Sequence, residues 1–228
     1  MINKETITDL FFDLDHTLWD FEKNSALTFD QLLIDYQIPV RLEDFLKVYV
    51  PLNLEYWKAF REQRIDKETL RYRRIKDTFD QLEISIDDDM VFTLADAYIQ
   101  NLPEHNHLFP GAIEVLDKLK ERYSLHIITN GFREVQRKKL KNSSLAHYFL
   151  TVTDSESVGV KKPNPLIFLK ALNVANCFPE NSLMIGDDYE ADILGAKQVK
   201  MNTILINHNK KLYECIQIKR LDQLLNYL

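Results

Sequence analysis

Two cysteines in 228 residues, Cys177 and Cys215, are too few for a disulfide framework and have no metal-ligand spacing. They read as free thiols of a reducing compartment. No apolar run is long enough to span a bilayer, and the polar start Met1–Thr6 has no secretory apolar core, so a cytoplasmic protein with no membrane partner is expected. Positive charge is not in excess: 29 Lys and Arg stand against 35 Asp and Glu, for a net charge of −6. That balance argues against binding a nucleic-acid polymer. Two local basic runs, Arg71, Arg73, Arg74, Lys76 and Arg137, Lys138, Lys139, Lys141, read as solvated helix faces. Glycine is absent from the whole segment between Trp19 and Asn101.

What is present is an ordinary globular composition, 45% hydrophobic and 28% charged, arranged in two styles. Short apolar runs at 7–12, 125–129, 183–185 and 203–206, with a weaker one at 149–152, end in polar residues. Separated by helix-period segments, they predict buried parallel strands in alternating β and α order. Predicted helices open at Pro110-Gly111 (ending near Tyr123), at Pro163 or Pro165, and near Glu190. The segment 19–101 instead has apolar residues at three- and four-residue spacing. It predicts helices at 23–36, 42–62, 67–82 and 87–101, with Asp87-Asp88-Asp89 as a helix start and not a metal cluster. The expected fold class is therefore α/β, a doubly wound parallel (Rossmann-like) sheet from 1–18 and 102–228 with an inserted all-helical domain at 19–101. An insertion directly after the first strand is expected over the carboxyl end of the sheet, where such folds place ligands.

The chemistry is concentrated at four strand ends. Phe12-Asp13-Leu14-Asp15-His16-Thr17 closes the first run, and residues i and i+2 of an extended segment point the same way, so Asp13 and Asp15 are expected to project together. Two such carboxylates repel unless a cation compensates or one keeps its proton. Thr129-Asn130-Gly131-Phe132 offers a hydroxyl, amides and a flexible Gly at a helix start, suited to anionic oxygens. Lys161-Lys162-Pro163 places a lysine against a Pro-initiated helix, and Gly186-Asp187-Asp188-Tyr189-Glu190-Ala191-Asp192 adds two carboxylates. Mg²⁺ is the natural guest of one or two carboxylates with a carbonyl and waters at a phosphate site.

In this order the four segments resemble the haloacid dehalogenase-like hydrolase superfamily, whose members are mostly phosphatases, and the helical insertion resembles its type-one cap. The resemblance implies that Asp13 is the nucleophile and Asp15 the general acid/base. Thr129 and Lys162 would bind the phosphoryl group, and Mg²⁺ would sit on the Asp13 carboxylate, the Asp15 carbonyl and Asp187, with Asp192 behind them. Because the family's lysine precedes the proline, Lys162 is selected over Lys161. Asp15, kept protonated by carboxylate neighbours, would protonate the leaving alkoxide, and an acid there separates phosphatases from the namesake dehalogenases.

Ile127–Phe132, Val158–Asn164, Asp192–Ala196 and Leu205–His208 are further similar to the bacterial pyrimidine 5′-nucleotidase branch, which acts on small phosphomonoesters. Asn130 joins the substrate-binding set, and Trp19 and Phe21 are expected to overhang the site as stacking rings. Tyr49, Tyr56, Trp57, Arg61, Arg64 and Tyr72 are mainly expected in the core of the insertion. Small sugar-phosphate, 2-phosphoglycolate and phosphoglucomutase-type enzymes stay open as alternatives, with a phospho-acceptor signalling domain more distant. A monomer or weak homodimer is expected.

Overall fold

The computed structural model describes residues 4–208 and 211–228; Met1, Ile2 and Asn3 of the polar start lie outside them. The chain divides into two compact units, Met1–Phe21 with Asn106–Leu228, and Glu22–His105. Strand β1 (Asp9–Phe12) is buried throughout, with Leu10, Phe11 and Phe12 fully enclosed, as an apolar run covered on both faces must be.

The second unit is helical. Helices α1 (Phe21–Asp35), α2 (Leu42–Arg61), α3 (Lys67–Gln81) and α4 (Asp88–Asn101) fall within two residues of the predicted bounds. Asp66 and Asp87 cap α3 and α4 by accepting from the amides of Thr69 and Met90, so the acidic triplet is a helix start. Phe29, Phe45, Tyr49 and Tyr98 stack in the interior of this unit, with ring centroids from 4.4 Å apart. One expectation is corrected here. Arg74 does not belong to a solvated face: it is 1% exposed, donates to Asn53 Oδ1 at 3.1 Å and lies over the Tyr98 ring. Helical phase puts it on the same side as Leu70 and Thr78.

After the return, α5 (Ala112–Leu119), β2 (Ser124–Thr129), α6 (Arg133–Asn142), β3 (Thr151–Asp154), the one-turn α7 (Ser155–Val158), α8 (Pro165–Ala175), β4 (Ser182–Gly186), the short α9 (Gly195–Gln198), β5 (Asn202–Ile206) and β6 (Gln217–Ile218) complete the first unit. The sheet is parallel in the order β3-β2-β1-β4-β5-β6. Strand order reverses at β1, so β1 and β4 flank the switch point where open sheets hold ligands. Phe11, Ile128 and Met184 pack with Ile167, Phe168 and Leu172 of α8 on one face.

Three differences from the predicted elements have physical causes. β3 lies two residues later than predicted because it is an edge strand: Leu150 is 72% exposed and the ladder to β2 begins at Thr151. The helix expected near Glu190 is instead a wide, π-type turn over Tyr189–Leu194 that leads into α9. β6 has two residues, too short to give a periodic signal. Cys177 and Cys215 are free thiols, and no helix among the described residues is long and apolar enough to cross a membrane.

Candidate active site

Asp13 follows the last residue of β1, and its amide donates to Ile185 O of β4 at 2.9 Å, extending the ladder by one bond. The chain then folds back through His16, at φ 61°, and the amides of Leu18 and Trp19 both return to Leu14 O. The two carboxylates emerge at one end of the sheet with different cationic partners. Lys162 Nζ reaches Asp13 Oδ1 at 2.5 Å, while Lys139 Nζ reaches Asp15 Oδ1 at 2.6 Å.

Lys162 is buried; its ammonium donates to Asp13 Oδ1 and to Ile128 O at 2.9 Å and forms an ion pair with Asp192 Oδ1 at 2.7 Å. Burial works against the charge, but Asp13 and Asp192 outweigh it and hold the pKa of Lys162 above its ordinary value. Lys161 does not join this group: it is half-buried, and burial lowers its pKa. Asn130 fixes the lysine segment from both sides. Its Oδ1 accepts from Lys162 N at 2.8 Å and its Nδ2 donates to Lys162 O at 3.0 Å. The expected substrate-binding amide is thus engaged in holding Lys162.

Asp187 and Asp192 come from the end of β4 and the wide turn after it. Asp188 shapes that turn by accepting from the amides of Glu190 and Ala191, each at 2.9 Å. Asp192 folds back under the strand end, where its Oδ2 accepts from Asp188 N at 3.1 Å. Gly186 makes the fold-back possible, because a Cβ there would stand 2.7 Å from Asp192 Cβ and closer still to its carboxylate. Asp187 Oδ1 accepts from Thr17 at 3.2 Å.

Asp13, Asp187 and Asp192 each offer a carboxylate oxygen within 4.8 Å of the others. Burial is the main cause that raises all three: Asp13 is pushed up to about 7 against the pull of Lys162, with repulsion from Asp192 adding to it; Asp187 is raised further by Asp13 and Asp192, and Asp192 by Asp188. Three carboxylates facing one ammonium leave a surplus of negative charge. An all-oxygen donor set of this kind, with Asp13 and Asp192 buried and Asp187 half-buried, fits a small hard cation such as Mg²⁺.

Thr129 ends β2. Its Oγ1 accepts from Gly131 N at 3.1 Å and from Gln136 Nε2 at 2.7 Å. With both lone pairs used, the hydroxyl proton is what remains to be given to an anion.

Two expectations change at Asp15. Its oxygens face donors, not carboxylates: Lys139 at Oδ1 and Gln136 Nε2 at 2.9 Å from Oδ2. Lys139 is also no solvated residue, at 2% exposure, although Arg137, Lys138 and Lys141 beside it are exposed. Trp19 and Phe21 are buried against it, with its Nζ 4.1 Å and 5.2 Å from the ring centroids, so Trp19 presents no open face for stacking. Gln136 and Lys139 are the functional residues that the sequence reading missed. The available signal was their position on α6: with Val135 and Leu140 they occupy the inward i, i+3, i+4 stripe.

A family model described as haloacid dehalogenase-like hydrolase matches residues 10–206. The chain is 35% identical over 203 residues to the pyrimidine 5′-nucleotidase PynA of Streptococcus pneumoniae, covering 87% of this chain and 83% of that one. It is 32% identical over 200 residues to the pyrimidine 5′-nucleotidase YjjG of Escherichia coli, covering 87% and 85%. Among solved structures, the putative HAD-hydrolase YfnB from Bacillus subtilis bound to magnesium superposes with a TM-score of 0.88 at 28% identity, covering 96% of this chain and 97% of that one.

Proposed function

The chain belongs to the haloacid dehalogenase-like hydrolases, and we propose that it is a Mg²⁺-dependent phosphomonoester hydrolase acting through an aspartyl-phosphate, with pyrimidine nucleoside 5′-monophosphates as preferred substrates. The observation that carries the reading is the cluster of buried Asp13, Lys162 and Asp192 with half-buried Asp187 at the switch point of the sheet, with the Thr129 hydroxyl proton left to donate. The nucleotide preference is supported by the two nucleotidase relatives.

Asp13 and Asp187, with the Asp15 carbonyl that the family likeness adds, would hold the cation, and Asp192 stands beside them on Lys162. When bound, the ion supplies positive charge at the phosphoryl oxygens. The residues of the chain do the rest. Lys162 and Thr129 donate to the equatorial oxygens as charge spreads onto them. Asp13 Oδ attacks phosphorus in line, and the ester bond breaks with its electron pair on the leaving oxygen. Asp15 gives that oxygen a proton, then takes one from the water that cleaves the aspartyl-phosphate. The rings of Trp19 and Phe21 lie against the Lys139 ammonium that holds Asp15.

The test pairs a variant with a substrate screen. Asp13→Asn is expected to abolish Mg²⁺-dependent release of phosphate from 4-nitrophenyl phosphate with an unchanged circular dichroism spectrum; full activity would sink the mechanism. Ranking phosphomonoesters by kcat/KM should place UMP, dUMP and dTMP first. If sugar phosphates or phosphoglycolate lead by about tenfold, roughly 1.4 kcal/mol of transition-state preference, the nucleotide preference is wrong and the phosphatase reading stands.

A further inference from the structure

Lys139 sits on a helix whose sequence, Arg133–Asn142, is strongly polar, yet its ammonium is enclosed. Burying a lysine that has exposed basic neighbours costs free energy unless something specific is gained. Its Nζ meets Asp15 Oδ1 at 2.6 Å and the faces of Trp19 and Phe21. One turn earlier, Gln136 spans Asp15 Oδ2 and Thr129 Oγ1 with a single Nε2. The two residues grip both oxygens of one carboxyl group and link it to the hydroxyl of Thr129. Gly131 leaves room for this, because a Cβ there would stand 2.8 Å from Gln136 Cγ.

We infer that Lys139, with Gln136, is a positioning residue that fixes the Asp15 carboxyl group in register with Thr129 for proton transfer to the leaving group. The inference rests on the phosphatase reading above. A carboxyl held at both oxygens cannot rotate about its Cβ–Cγ bond, and a protonated carboxyl keeps acceptor capacity for both donors while presenting its O–H. The buried rings of Trp19 and Phe21 also lie against the ammonium.

Proton balance fixes where the effect falls. In the first half-reaction the Asp13 Oδ–P bond forms and the P–O ester bond breaks. The leaving oxygen keeps the electron pair and takes the proton of Asp15. In the second, the oxygen of water bonds to phosphorus, the Asp13 Oδ–P bond breaks, and the water proton returns to Asp15. Donation matters most for a strongly basic alkoxide, the leaving group of a nucleoside 5′-phosphate. 4-Nitrophenolate is a weak base and departs without it.

The test compares kcat/KM for UMP and 4-nitrophenyl phosphate in the full chain with Mg²⁺. Lys139→Met keeps length and ring packing but removes the donor. It should lower kcat/KM for UMP by ~10²-fold through kcat, with KM little changed, and lower the aryl value less than about tenfold. Asp15→Asn should shift the alkyl-to-aryl ratio in the same direction, and Lys139→Arg should restore most of it. Thermal unfolding of each variant shows that it is folded; should Lys139→Met fail to fold, Gln136→Met reads the same ratio. An unchanged ratio in a folded variant, or an equal loss on both substrates, overturns the positioning role. If Asp13→Asn is inactive while the ratio stays flat, this inference alone falls. If Asp13→Asn remains active, the phosphatase reading falls with it.

Discussion

Gly186→Ala is a one-methyl change at the end of β4 with a calculable consequence. The new Cβ would stand 2.7 Å from Asp192 Cβ and nearer to the carboxyl carbon and Oδ2, so the Asp192 side chain must leave its position. Forcing a methyl into a closed space costs about 1–3 kcal/mol. Moving the carboxylate also weakens its bond from Asp188 N and its contact with Lys162, and charge-assisted bonds of this kind are worth about 1.5–3 kcal/mol each. With partial relaxation the total is about 3–5 kcal/mol. For a chain of this size that lowers Tm by roughly 6–20 °C. The assay is thermal unfolding followed by circular dichroism, run as a double-mutant cycle with Asp192→Gly, which removes all three crowded atoms. In the Asp192→Gly background, adding Gly186→Ala should cost less than about 1 kcal/mol. A fall below about 2 °C in the single variant, or additive losses in the cycle, would show that Gly186 is not there to admit Asp192.

Asn130→Ala deletes both bonds to the Lys162 backbone, so stability should fall by about 1–3 kcal/mol and kcat by about tenfold or more as the lysine is misplaced; unchanged kcat would refute the clamp. His126, buried between Asp9 and Thr151, has its pKa lowered from 6.5 by burial despite the pull of Asp9. The unfolded chain therefore binds the extra proton first: stability is complete above about 6.5 and declines as pH falls from there toward the lower folded value. His126→Asn should flatten that part of the Tm–pH curve, and an unchanged slope would clear His126 of the effect.

The strand ends were legible because buried parallel strands make unmistakable apolar runs. Asp13 stands directly after β1 and Thr129 closes β2, while Lys162 is marked by the proline that follows it. Asp187 and Asp192 were legible as donors, but the wide turn between them was not, since one extra residue in a helical turn leaves no mark on a six-residue pattern. Lys139, Gln136 and Arg74 were hidden for a different reason. Each lies in a run of like residues whose average character is solvent-facing, and only helical phase against Val135, Leu140 and Leu70 distinguishes the buried member. Asn130 was expected to bind substrate, whereas its amide clamps the Lys162 backbone, a tertiary contact that spans 32 positions and has no local signature.

The pairing of Asp13 with Lys162 also bears on when the site comes into being. The two residues are 149 positions apart, Asp15 and Lys139 are 124 apart, and Thr17 and Asp187 are 170 apart. Asp13 is thus made before the helical unit, and its partner Lys162 only after the whole of that unit. Loops of this length are closed late in folding, and parallel pairings depend on that closure. Until β2 and β4 dock on either side of β1, the Asp13 carboxylate tips an uncovered apolar strand, Leu10–Phe12. Closing the sheet around β1 thus both covers the apolar strand and completes the setting of Asp13 beside Lys162 and Asp192.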